Sequence, residues 1–521
     1  MAYFPHLTRR SLLKNAALSL PVMAVLPHLA AAAAADEKKE TKPPAPPANP
    51  AISDMPPPER ATKPRKVIVI GAGLAGLAAA YELDAWGHDV TVLEAQNRVG
   101  GRVYTVRTPF ADGLSAEAGA MDFPNSARNC MHYCKALNVK LAKQTPEKLA
   151  TPFYLRGKLM NTSEKDFDFP YDVPPAEKND PYKMYLKYMG NAANELGDPT
   201  DAGWDIRKFK KYDQMTLADL MKSNGASDEA IELLAHAMSL GYGWHTGSAL
   251  HRMTSDFRMF NLGGGSQNFI DGGADMLPRA FAKALRDRIW YGAAVTKIVQ
   301  ENGKVRAVFR PGGLDTPEQS IEADYLICTA PTPVLRRVEF TPALPPLKRR
   351  IIEELEYAPV THVFVQTRRR FWVDEGKTGG GNTDLPIKLV VEQPFVRAVD
   401  QGPRGLLDAH IRGPEALSVS ALDLDQQLAF ATENFAKLHP GFERYVEGGA
   451  SVSWHNDPWA GGGYPWWKPG QLTEWMPELA KPEGNVYFAG EHTSQLCRQM
   501  EGALLSGNRA AREVAAAAQQ G

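Results

Sequence analysis

The residues best placed to do chemistry come early in the chain. A β-branched run, Lys66-Val67-Ile68-Val69-Ile70, leads directly into Gly71-Ala72-Gly73-Leu74-Ala75-Gly76. Glycines at this spacing allow a tight turn, close approach of backbone to a pyrophosphate, and close packing of a helix on a strand. The helix that follows would present free N–H groups and the positive end of its dipole to phosphate oxygens. Glu94, with Ala95 behind it, lies about 20 residues past the turn, where an acid can accept from a ribose hydroxyl. The elements that must hold these residues are legible too. Lys66 to Ile70 reads as a buried parallel strand, Leu77 to Trp86 as a helix ended by Gly87, and Asp89 to Leu93 as a second strand. This unit implies a dinucleotide, and by itself does not separate NAD from FAD.

Further motifs make that separation. Arg98-Val99-Gly100-Gly101-Arg102 follows Glu94 closely, and Glu117-Ala118-Gly119-Ala120-Met121 comes soon after. Far downstream, Asn485-Val486-Tyr487-Phe488-Ala489-Gly490-Glu491 is a strand-like run ending in glycine and an acid. Met500-Glu501-Gly502-Ala503 then opens a helical stretch to Val514. Together, from Lys66 to Val514, these segments resemble the flavin amine-oxidase family. The resemblance implies FAD, with Arg102 on its pyrophosphate and Gly119, Ala120 and Met121 against the flavin. It further implies Gly490, Glu491 and Met500 along the ribityl chain, Leu74 and Ala75 in the glycine turn, and Val295 with its backbone at the adenine.

The fold class it implies is α/β and α+β. A Rossmann-like FAD-binding domain would be built from residues 66–150, 257–345 and 480–515. An inserted substrate domain of mixed sheet and helices would take 151–256 and 346–479. The stretch from Pro170 to Asp256, ending in Gly241-Tyr242-Gly243-Trp244-His245, is expected to be mainly helical and to shape the pocket entrance.

On the substrate side, amine oxidation by a flavin needs orientation, desolvation and a way to deprotonate an ammonium more than it needs a triad. Trp454, Trp459, Tyr464, Trp466 and Trp467 surround Gly461-Gly462-Gly463. By resemblance Tyr464 is one wall of an aromatic cage, and a cation is also attracted to such a face. The other four read as core. Gly463 stands where covalent-flavin relatives carry the attaching cysteine, so FAD is expected to be held noncovalently. The second cage wall falls at Gln499, an amide. The position of the carboxylate-clamping arginine of amino-acid oxidases is Asp122, which would repel a carboxylate and could pair with a second cation. The clamp's tyrosine aligns with His410. The lysine that holds a water against flavin N5 is replaced by His362, which can hold that water and change protonation near neutral pH. As plain alternatives, Asp122 caps its segment and His362 is an ordinary strand residue.

Composition narrows the setting. A chain of 521 residues exceeds one core. A formal net charge of −1 leaves no footprint for nucleic acid or an anionic membrane. Its 4 cysteines make no disulfide framework; Cys130 and Cys134 read as helix packing and Cys328 as a buried strand residue. Arg9-Arg10, an apolar stretch from Ala16 to Leu29, and the alanines 30–35 resemble a twin-arginine signal peptide spanning 1–35. That resemblance implies the twin-arginine translocase as a partner and a periplasmic or secreted destination. Residues 36–64, charged and proline-rich, are expected to be a flexible linker, and no later segment suits a membrane span. The leading expectation is an FAD-dependent amine oxidase that passes hydride from the amine α carbon to flavin N5, with O2 or a periplasmic carrier as acceptor. An L-amino-acid oxidase or a tryptophan 2-monooxygenase-like enzyme is the alternative, a catalytically silent flavin-binding protein is a third, and a homodimer is compatible with each.

Overall fold

The computed structural model describes residues 57–142, 149–162, 168–178, 180–199, 201, 204–238, 243–254, 267–313, 315–394 and 402–520. The expected signal peptide, most of the expected linker, and Gly241 and Tyr242 lie outside these. The end of that linker is tied down: the Ala61 N–H donates to the Trp86 carbonyl (2.8 Å).

Strand β1 (Lys66–Ile70) forms as the apolar run requires. Its alternate residues feed opposite faces, Val67 and Val69 into one core and Ile68 and Ile70 into another. Each such buried side chain contributes about 1.5–3 kcal/mol. Helix α1 (Leu74–Ala85) begins three residues earlier than the apolar pattern suggested, because Leu74-Ala75-Gly76 of the glycine turn is already helical. Gly71 has φ +97°, and a Cβ at Gly76 would lie 1.9 Å from the Gly71 carbonyl oxygen, so the turn requires glycine at both positions. Strand β2 (Asp89–Leu93) pairs parallel with β1. The complete sheet is parallel and five-stranded, in the order Val486–Phe488, Tyr325–Cys328, β1, β2, Ile289–Trp290. It is thus assembled from distant parts of the chain. Helix α2 (Met500–Gln520) packs against α1 and runs six residues beyond the expected Val514. Cys130, Cys134 and Cys328 are buried, as expected.

A mixed seven-stranded sheet lies elsewhere in the chain. Its central strands are β3 (Val360–Thr367) and β4 (Gly405–Arg412), antiparallel, with His362 directly opposite His410. One face of this pair carries Val363, Val365, Leu407, Ala409 and Ile411, which pack into a core with Phe435 and Leu438 of the helix Leu424–Leu438. Alternation then places His362, Phe364, Asp408, His410 and Arg412 together on the other face. Helices Pro181–Leu196, Leu217–Ser223 and Asp228–Ala237 fill much of the described stretch between 170 and 256, as expected. No helix among the described residues is long and apolar enough to cross a membrane.

One long-range contact fixes where α2 begins. Helix Arg128–Ala136 starts at Ala127, which offers no capping side chain. The buried Glu501 carboxylate takes that role, accepting from Asn129 N (3.1 Å), Asn129 Nδ2 (2.8 Å) and Cys130 N (3.0 Å). Removing it would leave three buried donors unsatisfied. We expect Glu501→Ala to destabilise the protein by about 2–3 kcal/mol in urea titration, and Glu501→Gln by less.

Candidate active site

A cavity of about 480 Å³ runs between the two large sheets. The glycine turn supplies Gly71, Gly73, Leu74 and Ala75, and the end of β2 supplies Glu94 and Ala95. Arg102, the segment Gly119 to Asp122, and Val295 follow along the wall, and Gly490, Glu491 and Gln499-Met500 complete that side. His362, His410 and Tyr464 line it as well. Every residue expected from the sequence to bind cofactor or substrate, or to act in catalysis, therefore lines this one cavity except Gly76. That glycine is turned onto the Gly71 backbone, which accounts for its lacking a side chain.

The nucleotide end has the features an elongated dinucleotide needs. Gly73 caps α1 with no side-chain bond to the helix's first N–H groups, and a Cβ built there would meet nothing within 4 Å. Open space thus faces unsatisfied donors at a helix N-terminus. Glu94 is buried and accepts from Ala72 N (2.6 Å) and Gln96 N (2.7 Å). Burial raises its pKa against the pull of those two bonds. Its carboxylate oxygens keep lone pairs for a hydroxyl. Arg102 donates from Nη1 to Glu491 Oε1 (2.8 Å) and to the Gly463 carbonyl (2.9 Å), leaving further guanidinium donors for a phosphate. Cys497 is buried, its thiol pushed far up by burial, and its Sγ donates to the Ser494 carbonyl (2.9 Å). It is not a lining residue.

At the other end, Asp408 Oδ2 lies 2.9 Å from His362 Nδ1. The His362 and His410 rings stack with centroids 4.3 Å apart. Arg412 Nη2 lies 3.5 Å from His410 Nδ1. Arg252, Arg412 and Arg498 all line the cavity. Arg412 is buried and its Nε has no partner. Burial lowers its pKa, Tyr464 opposes this, Arg498 and Arg252 lower it further, and Asp408 supports its charge. His410 is pushed well below the usual range by burial and then by Arg412. Arg498 adopts a left-handed backbone (φ 67°) and lays its guanidinium 4.2 Å from the Tyr464 ring centroid. The Tyr464 hydroxyl is buried without a partner.

Asp122 has one oxygen buried without a partner, and burial pushes its pKa up to about 8. The repulsion expected from this residue presupposed an ionised carboxyl; near neutral pH it is the acid. Of the aromatic cluster, Trp454 and Trp459 reach the cavity together with Tyr464, while Trp466 and Trp467 are core. The three arginines and Asp408 were missed in the sequence. The alternation Asp408-x-His410-x-Arg412, inside an otherwise apolar strand, was the available signal for two of these four.

The chain matches the family model for flavin containing amine oxidoreductases over residues 74–515. A putative L-amino-acid oxidase of Bacillus subtilis is 31% identical over 87% of this chain and 95% of its own length. An L-amino-acid oxidase of the snake Gloydius blomhoffii is 28% identical, covering 88% and 90%. Among solved structures, cyclohexylamine oxidase from Brevibacterium oxydans superposes with a TM-score of 0.72 at 21% identity, over 88% of this chain and 100% of that one. Putrescine oxidase bound to putrescine gives 0.71 at 21%, over 87% and 99%. The fold, the cleft and the extent of the family match agree: this chain belongs to the flavin-containing amine oxidoreductases and is a flavin oxidoreductase acting on CH–NH2 groups.

Proposed function

We propose that the protein is an FAD-dependent oxidase of α-amino acids, converting the Cα–NH2 group to an imine that water then hydrolyses. The observation that carries this reading is Arg412, a buried guanidinium at the cavity wall whose Nε has no partner. A buried guanidinium N–H without an acceptor is expensive, and a substrate carboxylate would supply one. Arg252 and Arg498 add to the positive field. Curated relatives carrying the name L-amino-acid oxidase support the same class.

Bound FAD would supply the hydride acceptor and the route for electrons to O2, giving H2O2, or to a periplasmic carrier. The chain's own residues bind and orient. The N–H groups at the start of α1 and the free donors of Arg102 would hold the pyrophosphate, Glu94 the ribose, and Gly119 to Met121, Val295, Gly490 and Met500 the remainder. Gly463 offers no thiol and Cys497 is sealed away, so the flavin would be noncovalent and leave with acid precipitation. Tyr464 would wall the amine, and Gln499 would offer it an amide. This cofactor part would use residues 66–150, 257–345 and 480–515, and the substrate part 151–256 and 346–479. Arg9 and Arg10 would direct export of the loaded protein through the twin-arginine translocase.

Anaerobic mixing with L-α-amino acids and with their decarboxylated amines tests the proposal. Amino acids should bleach the flavin at least about tenfold more efficiently, by the worth of one charge-assisted bond. Faster reduction by the bare amines would make this a simple amine oxidase, and no reduction by either would sink the assignment. Arg412→Met should raise KM for amino acids by about 10–100-fold and change it little for amines. Asp122 sets a pH dependence. It keeps its proton until about pH 8, and its ionisation above that adds negative charge to the cavity. Benzoate, as a non-reacting carboxylate, should therefore bind progressively more weakly as pH rises through 8. In Asp122→Asn that weakening should disappear, as followed by flavin absorbance.

A further inference from the structure

The geometry points to Asp408 as a positioning residue that holds His362 as the base for the substrate ammonium. The inference rests on the amine-oxidising reading of this cavity and adds a residue and a proton path to it.

Asp408 is fully buried, and only one of its two oxygens has a partner, the Oδ2 contact to His362 Nδ1 at 2.9 Å. A carboxylate buried in mid-sheet with a single hydrogen bond is costly and does little for folding. An apolar residue would serve the strand better. The contact has a definite chemical consequence. An imidazole whose Nδ1–H donates to a carboxylate carries its lone pair at Nε2. His362 lines the cavity, so Nε2 is the ring nitrogen left for a ligand.

The surrounding charges explain why a carboxylate is needed at this place. His362 faces Asp408, His410 and Arg412 from β4, and the uncharged Val452 from the strand Val446–Ser453. Arg252 and Arg498 line the same cavity from other elements. The arginines that suit a substrate carboxylate also oppose protonation of any imidazole beside them, as His410 demonstrates. Asp408 is the only carboxylate bonded to either histidine among the described residues, and the histidine it bonds is His362. The step is a simple transfer. One ammonium N–H bond breaks, its electron pair stays on nitrogen, and the proton forms a new N–H bond at Nε2. The neutral amine that remains can then release hydride, and the imidazolium returns its proton to solvent.

Two variants test this: Asp408→Asn and His362→Ala. Flavin reduction by an L-amino acid is followed anaerobically from neutral pH upward, and benzoate binding is followed on the same proteins. Asp408→Asn should keep its flavin spectrum and bind benzoate no more weakly than the parent, having lost a negative charge, while reducing about 10²-fold more slowly at neutral pH. The defect should shrink toward high pH, where the substrate amine is already neutral and needs no base. Added imidazole should restore part of the rate in His362→Ala. In the apo-protein, 15N shifts of the histidine side chain should show a lone pair at Nε2, and Asp408→Asn should mix the tautomers. A defect that is equal at all pH values, or a tautomer unchanged by Asp408→Asn, would reduce Asp408 to a brace of the sheet. The 15N measurement needs neither flavin nor substrate. An oxidase assignment that failed, with no reduction of the parent protein by any amino acid or amine, would thus be distinguishable from failure of the Asp408 proposal.

Discussion

The cavity is held together by one guanidinium. Arg102 comes from the second glycine motif, and its Nη1 reaches both Glu491, at the end of the last sheet strand, and the carbonyl of Gly463 in the loop beside Tyr464. Glu491 uses its other oxygen to accept the Arg498 backbone N–H (2.8 Å). That bond fixes the turn that lays Arg498 over Tyr464. A single partly buried ion pair therefore joins residues 389 positions apart and ties the nucleotide cleft to the substrate wall. Removing either partner would leave the other as an uncompensated buried charge, which costs far more than the pair is worth.

What the sequence made legible follows from the range over which each signal acts. The glycine turn, the flanking strands and Glu94 are specified by neighbours within one βαβ unit, and they form as local chemistry demands. The boundary of α1 was set three residues late because apolar periodicity starts at Leu77, whereas backbone hydrogen bonding starts at Gly73. The cap of the helix Arg128–Ala136 could not be read at all. Ala127 gives no sign of it, and its acceptor, Glu501, arrives from the other end of the chain. The cofactor segments were legible through family resemblance, and all but Gly76 converge on the cavity. The arginines were not, because one arginine in a strand or helix looks like any solvated charge until the fold buries it.

Asp122 shows a different limit. From sequence its charge seemed to argue against a carboxylate substrate, since an aspartate in water is ionised. In the folded chain, burial raises it to about 8 with no charged partner to hold it down. Residue identity specifies which protons a group can hold, and environment specifies whether it holds them. A carboxyl that water would ionise keeps its proton where the fold buries it.

Charge balance then limits what the cavity can accept. Around the substrate end are three guanidinium groups, two histidines, one buried carboxylate bonded to a histidine, and one acid that stays neutral at pH 7. A bare ammonium entering this space would meet net positive charge, offset by aromatic faces and by one carboxylate already bonded to a histidine. An α-amino acid, the substrate proposed above, would enter as a zwitterion, with its carboxylate meeting the excess cation and its ammonium meeting Tyr464 and His362. Loss of the ammonium proton would leave a net anion among arginines, a change that the positive field favours. The field that would retain such a substrate would therefore also drive its deprotonation, provided one group can accept the proton against that field. A base with its own buried counter-charge could do so, and under the proposal that base is the histidine bonded to Asp408.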